Sequence, residues 1–214
     1  MKSDDLILYA ITDRQWLHES TLYQDVQKVL NGGATILQYR EKKLKGEAVI
    51  EEARALKNLC TNYGVPFIIN DNAALAKEIN SDGVHVGQED MSSIEARKML
   101  GKDKIIGVSV QTVKQALLAQ KQGADYLGVG AVFTTKTKGD ATPVSYATLR
   151  AICHAVTIPV VAIGGIHKEN IMELKGSGIR GVALISAILN NENIEQATKD
   201  IKKQIQDMLE EKGL

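Results

Sequence analysis

Short apolar runs recur along the chain at 6–11, 34–38, 66–70, 83–86, 105–110, 126–129, 160–163 and 182–185. They are brief and rich in β-branched residues, the composition of strands buried on both faces. Between them lie longer stretches with apolar residues three and four apart, the spacing of helices with one buried face. The first is marked by Val26, Val29 and Leu30, and others span 48–59, 73–79, 94–100, 113–122, 149–156, 170–175 and 194–209. Gly32-Gly33, Gly64-Val65-Pro66, Gly123, Pro159 and Gly178 punctuate the returns from helix to strand. Glycine just past a helix is the usual left-handed stop.

Strict alternation of eight strands and eight helices predicts an all-parallel sheet. Eight such units in 214 residues predict an α/β fold, one (β/α)8 TIM-barrel domain over 1–214, at the small end of that architecture. A doubly wound open sheet is the alternative, weakened because no G-x-G-x-x-G follows the first strand. In a barrel the chemistry gathers at the carboxyl ends of the strands. Those ends read Thr12-Asp13, Gln38-Tyr39-Arg40-Glu41-Lys42, Asn70-Asp71-Asn72, Gly87-Gln88-Glu89-Asp90, Ser109-Val110-Gln111-Thr112, the loop 130–143, Gly164-Gly165 and Ser186. The turns at the other end lack this polar density.

Side chains alternate across a strand, so Gln38, Arg40 and Lys42 leave on one side and Tyr39 and Glu41 on the other. Two cations and an amide at the tip of a buried strand suit a strongly anionic ligand. Arginine offers a planar fork to phosphate and lysine a point charge. Asp71 and Asp90 end neighbouring strands and are candidates to share one magnesium ion, which takes oxygen ligands and commonly completes its shell with substrate phosphates. Each could instead cap the helix that follows it. Gly164-Gly165 and Ile185-Ser186 suit a phosphate held by backbone N–H groups. The polar stretch 133–143 reads as a lid with Gly139 as hinge. His85, inside a strand, reads as a structural histidine.

Composition narrows the function. Lys plus Arg and Asp plus Glu are 26 each, and with no basic cluster the chain is a poor nucleic-acid binder. Apolar content of 44% supports a large core. Two cysteines, Cys60 and Cys153, argue for a reducing compartment. No histidine pair has zinc-ligand spacing. No run reaches the length of a membrane span and the start lacks a signal-peptide pattern, so a cytoplasmic protein acting on small molecules, without membrane contact, is expected. A homo-oligomer is compatible with the chain, whose subunit count the sequence leaves open.

Taken in order, Tyr9-Ala10-Ile11-Thr12-Asp13, Gln38-Tyr39-Arg40-Glu41-Lys42, Ile69-Asn70-Asp71, Asp82 to Asp90, Gly107-Val108-Ser109, Gly128-Val129-Gly130 with its Thr/Lys loop, Ala162 to Ile166 and Ile185-Ser186-Ala187-Ile188 resemble the thiamine-phosphate synthase family over nearly the whole chain. The resemblance implies a (β/α)8 transferase that joins a hydroxymethylpyrimidine diphosphate to a thiazole phosphate and releases pyrophosphate. It assigns Gln38, Tyr39, Arg40, Glu41, Lys42, Asn70, Ser109 and Lys138 to the pyrimidine diphosphate, with Arg40, Lys42, Ser109 and Lys138 as the catalytic residues. It assigns Asp71 and Asp90 to magnesium (Mg2+). Thr135, Lys136, Thr137, Gly165, Ile185 and Ser186 fall to the thiazole phosphate. In the family the pyrimidine is thought to pass through a carbocation, which gives a closing lid a purpose.

Two positions depart from many relatives: Gln111 stands in place of a histidine and Thr134 in place of a proline. The first bears on a rival reading, the related thiazole tautomerases, where that histidine is the proposed proton-transfer group. Glutamine does no acid–base work, which weakens that isomerase reading. A catalytically silent paralogue binding thiamine-related phosphates is the third alternative, opposed by Arg40, Lys42, Asp71, Asp90 and Lys138.

Overall fold

The computed structural model describes residues 3–17, 19–134 and 143–210. Its eight strands are β1 (Leu8–Ile11), β2 (Ile36–Tyr39), β3 (Phe67–Asn70), β4 (Gly83–Val86), β5 (Ile105–Val110), β6 (Tyr126–Gly130), β7 (Val160–Ile163) and β8 (Gly181–Leu184). They pair in parallel in sequence order, and β8 returns to β1 to close a barrel. The closing register sets Tyr9 opposite Ala183 and Ala10 opposite Leu184.

The outer helices are α1 (Leu22–Asn31), α2 (Glu47–Tyr63), α3 (Ala73–Glu78), α4 (Ser93–Leu100), α5 (Val113–Lys121), α6 (Tyr146–Ala155) and α8 (Ile194–Leu209). A four-residue α7 (Ser186–Leu189) precedes the last of these. Local sequence explains their starts. Thr21 with Gln24, Ser92 with Glu95 and Thr112 with Gln115 each form a reciprocal capping box, satisfying N–H groups that a helix start leaves without partners. Gly64 ends α2 in the left-handed conformation at φ 66°, where any other residue would be strained.

Alternating burial divides the core into two shells. Inside the barrel, Leu6, Tyr9, Ile11, Ile36, Ile68, Tyr126, Val161 and Ala183 pack together. The opposite faces of the same strands, including Leu8, Leu37, Phe67, Ile69 and Val84, pack against the helices. Gly107 faces inward on β5: a Cβ there would lie 2.1 Å from Tyr126 Cζ and 2.4 Å from His85 Nδ1. Only glycine leaves room for those two rings.

Several boundaries differ from expectation. Leu6 belongs to a 3-10 turn (Ser3–Leu6) ahead of β1. The seventh helix is a single 3-10 turn, Ile171–Leu174, because Gly176 and Gly178, both at positive φ, turn the chain back to β8 at once. Ile185 lies past the end of β8, immediately before α7. Among the described residues no helix is long and apolar enough to cross a membrane.

Candidate active site

A cavity of about 420 Å³ opens at the carboxyl end of the barrel, and strand tips supply its wall. Gln38, Arg40, Asn70, Asp90, Ser109, Gly165, Ile185 and Ser186 all line it. A second cavity of about 250 Å³ lies against the end of α8 and the turn that leads into β8. Among the described residues it offers Arg180 and Ser177 but no carboxylate.

One side of the mouth is charged. Arg40 Nη1 donates to Asp13 Oδ2 at 2.8 Å, and Lys42 Nζ donates to Asp71 Oδ2 at 2.9 Å. Asn70 Nδ2 donates to the same Asp71 oxygen at 2.6 Å, and Asp90 also acts to hold the Asp71 carboxyl down. Partial burial disfavours the ionised Asp71 carboxyl, yet the bonds it accepts and the Lys42 charge hold it below the usual carboxylate range. Asp71 itself sits at φ 61°, a left-handed conformation that a short polar side chain tolerates at modest cost.

Neither aspartate caps a helix. Asn72 accepts from Leu75 N to cap α3, and Ser92 caps α4. Asp90 instead accepts from Gly87 N at 2.7 Å, which folds the β4–α4 loop back on itself. Two carboxylates at neighbouring strand ends thus lie near enough to influence one another, one of them paired with a lysine. Ionised together they repel, and a cation between them removes the repulsion. Hard oxygen donors of this kind suit magnesium. Among the described residues no cluster of three or more His, Cys, Asp or Glu side chains is placed to hold a metal, so a metal held here needs further oxygens from water or a phosphorylated ligand.

Tyr39 and Glu41 require a correction to their assignment as ligand contacts. Their side chains leave the strand on the helix side. Tyr39 Oη donates to Glu52 Oε2 at 2.7 Å, and Arg14 Nε donates to Glu41 Oε2 at 2.7 Å. Glu41 Oε1 also accepts from Leu44 N at 3.0 Å. Burial would raise the Glu41 carboxyl, but the backbone bonds and Arg14 hold it low. Alternation explains the split: with Gln38 and Arg40 facing the cavity, residues 39 and 41 must face away. Glu41 shapes the turn that carries Lys42.

The floor of the cavity is neutral. Gln38 Nε2 donates to Tyr9 Oη at 2.7 Å, Tyr9 Oη lies 2.7 Å from Tyr126 Oη, His85 Nδ1 lies 2.8 Å from Tyr126 Oη, and His85 Nε2 lies 2.8 Å from Ser109 Oγ. Burial keeps both phenols protonated, pushing them well above the usual tyrosine value. His85 is satisfied at both nitrogens, as its place inside a strand suggested. Tyr9 and Tyr126 escaped the sequence reading; the signal was polar-tipped rings at inward positions with Gly107 and Gly128 beside them.

On the far side, Gly164 and Gly165 adopt φ 96° and 69°, and a Cβ on Gly165 would lie 2.5 Å from Thr134 O. Asn170 Nδ2 donates to Gly165 O at 2.9 Å. Ile185 and Ser186 complete that wall. Gln111 also lines the cavity. Thr135, Lys136, Thr137 and Lys138, with the hinge Gly139, lie outside the described residues.

The family model for thiamine monophosphate synthase matches residues 8–188. A thiamine-phosphate synthase of Clostridium acetobutylicum is 46% identical over 199 residues, 93% of this chain and 94% of that one. One from Ruminiclostridium cellulolyticum is 46% identical over 202 residues, covering 94% and 96%. Among solved structures, the thiamine phosphate pyrophosphorylase of Pyrococcus furiosus superposes with a TM-score of 0.89 at 38% identity, over 97% of this chain and 99% of that one. The barrel, the two-sided mouth and these matches agree: the chain belongs to the thiamine monophosphate synthase family of transferases.

Proposed function

We propose that the enzyme joins 4-amino-5-hydroxymethyl-2-methylpyrimidine diphosphate to hydroxyethylthiazole phosphate, forming thiamine phosphate and releasing pyrophosphate. The observation that carries this reading is one cavity lined by Arg40, Asn70 and Asp90 on one side and by Gly165 and Ser186 on the other, with Asp71, outside the lining itself, joined to Asn70 and to Lys42. Two phosphorylated ligands need two anion-accepting walls, and one cavity offers both.

In this reading the bond from the pyrimidine methylene to the diphosphate oxygen breaks. The thiazole nitrogen forms the new carbon–nitrogen bond with its own lone pair, so no general base is needed there. Arg40 and Lys42 exchange their aspartate partners for diphosphate oxygens. Gln38, Asn70 and Ser109 hold the pyrimidine side, and the backbone at Gly165, Ile185 and Ser186 takes the thiazole phosphate. Lys138 joins the diphosphate set and Thr135, Lys136 and Thr137 the thiazole set. Asp71 and Asp90 would hold magnesium, which supplies charge neutralisation at the leaving group when bound. The chain's own contribution is orientation and preorganised charge, terms that together account for many orders of magnitude in rate.

The test is incubation with both substrates and magnesium, reading thiamine phosphate and pyrophosphate together. Equimolar appearance of both, abolished by chelator and restored by magnesium, is expected. Isomerisation of a thiazole without pyrophosphate release would replace this reading with the tautomerase one, although Gln111 offers that chemistry no proton-transfer group.

A further inference from the structure

We propose that the neutral floor is a directed chain of hydrogen bonds that leaves the Ser109 hydroxyl hydrogen free to donate to the ligand, with Tyr9, Tyr126 and His85 as positioning residues. The argument is a count of hydrogens. Gln38 Nε2 donates to Tyr9 Oη. Among the described residues the Tyr9 hydroxyl has no hydrogen-bonding partner other than Gln38 and Tyr126, so its one hydrogen goes to Tyr126. If it did not, a fully buried O–H would lack an acceptor, a costly arrangement. Tyr126, having accepted, spends its own hydrogen on His85 Nδ1. The imidazole is therefore neutral and carries its proton on Nε2, which donates to Ser109 Oγ. Ser109 has then accepted within the protein, and its hydrogen is left to point into the cavity that it lines.

The consequence is specificity. A ligand that presents an acceptor, such as an aromatic ring nitrogen, satisfies the Ser109 hydrogen; a ring presenting N–H at that point reaches only the one lone pair left on Oγ and gives the serine hydrogen no acceptor. Identifying that ring with the pyrimidine rests on the function proposed above, whereas the direction of the chain does not. The opposite direction has one definite requirement. Gln38 would have to turn its amide so that Oε1 faces Tyr9, which would reverse every bond, place the imidazole proton on Nδ1 and make Ser109 an acceptor.

The test begins with the free, full-length protein labelled with 15N-histidine, using long-range proton–nitrogen correlation. His85 is assigned as the signal missing from His85→Gln. The expected spectrum shows a protonated Nε2 and a bare Nδ1, and Tyr126→Phe, which removes the donor to Nδ1, should alter that pattern. A protonated Nδ1 in the wild-type protein overturns the proposal. The second measurement is calorimetric binding of the pyrimidine diphosphate beside inorganic pyrophosphate. Tyr126→Phe and His85→Asn should weaken the pyrimidine ligand about tenfold, the loss of roughly one oriented hydrogen bond, while pyrophosphate changes by less than about twofold. His85→Gln, whose amide nitrogen can replace Nε2, should recover most of the loss. Equal weakening of both probes in all variants would make the chain merely structural and overturn the positioning role. If wild-type protein binds the pyrimidine diphosphate no better than pyrophosphate, the functional reading fails, and the spectrum still decides the direction of the chain.

Discussion

The charged side of the mouth and its neutral floor are built on opposite principles. On the charged side, Lys42 is 55% exposed and its partner Asp71 32%. Exposed ion pairs contribute roughly 0–1 kcal/mol to a fold, so these contacts are readily exchanged for a ligand's oxygens. On the floor, Tyr9 and Tyr126 are at most 1% exposed, and each hydroxyl depends on the next. Breaking a buried link leaves a partner without hydrogen bonds, which costs more than the bond was worth. On the side meant to meet anions the Lys42 pair is loosely tied while Arg40 and Asp13 are more deeply set, at 19% and 13% exposure, and the surface beneath is stiff. This is a sensible division where one ligand brings charge and the other atoms must be placed within fractions of an ångström.

The sharpest break of that contrast is at the carboxylates. Asp71→Asn or Asp90→Asn should lower thiamine-phosphate formation about 1000-fold by analogy with lost charge-stabilising groups. Stability should shift by no more than about 1 kcal/mol. Steady-state assays beside urea unfolding check both; undiminished turnover in either variant would remove that aspartate from the metal assignment.

Next comes Gly107→Ala. With a Cβ only 2.1 Å from Tyr126 Cζ, the rings must move, and about 3 kcal/mol of stability should be lost. An unchanged urea midpoint would show that the floor is pliant. Tyr9→Phe should cost about 2 kcal/mol, because it leaves Gln38 and Tyr126 facing a ring edge. A variant as stable as the wild type would mean that the floor carries no more weight than the charged side.

The smallest effect belongs to Lys42→Ala, within about 0.5 kcal/mol at neutral pH. Its sign with pH is definite. Asp71 is held below its usual value in the folded protein, so its contribution is complete above the unfolded value and disappears as pH falls through the folded one. Without Lys42 the folded value rises. The gap in stability between the two proteins should therefore close in acid, below the usual carboxylate range. A gap that widens on acidification, in urea midpoints measured across pH, would contradict the pairing.

Much of this was legible along the chain. The eight strands lie within a few residues of their apolar runs, since burial on both faces leaves a composition that periodicity detects. The exception was the seventh helix, where Ile171–Leu174 makes only one turn; a short amphipathic run before glycines does not distinguish a helix from a 3-10 turn. Gln38 and Arg40 were placed on the cavity side by alternation alone, and that rule also sends Tyr39 to Glu52 and Glu41 to Arg14. Carrying a whole motif over as ligand contacts overrode the rule at those two positions.

By itself, then, the order of residues determined the strand count, the parallel alternation and the family, because each is written in local composition or contiguous motifs. It did not determine which inward side chains touch. Tyr9 and Tyr126 are 117 positions apart, His85 and Ser109 24, and Lys42 and Asp71 29. Periodicity records the face on which a side chain lies; its partner across the barrel is decided by register and closure, which exist only once all eight strands have paired.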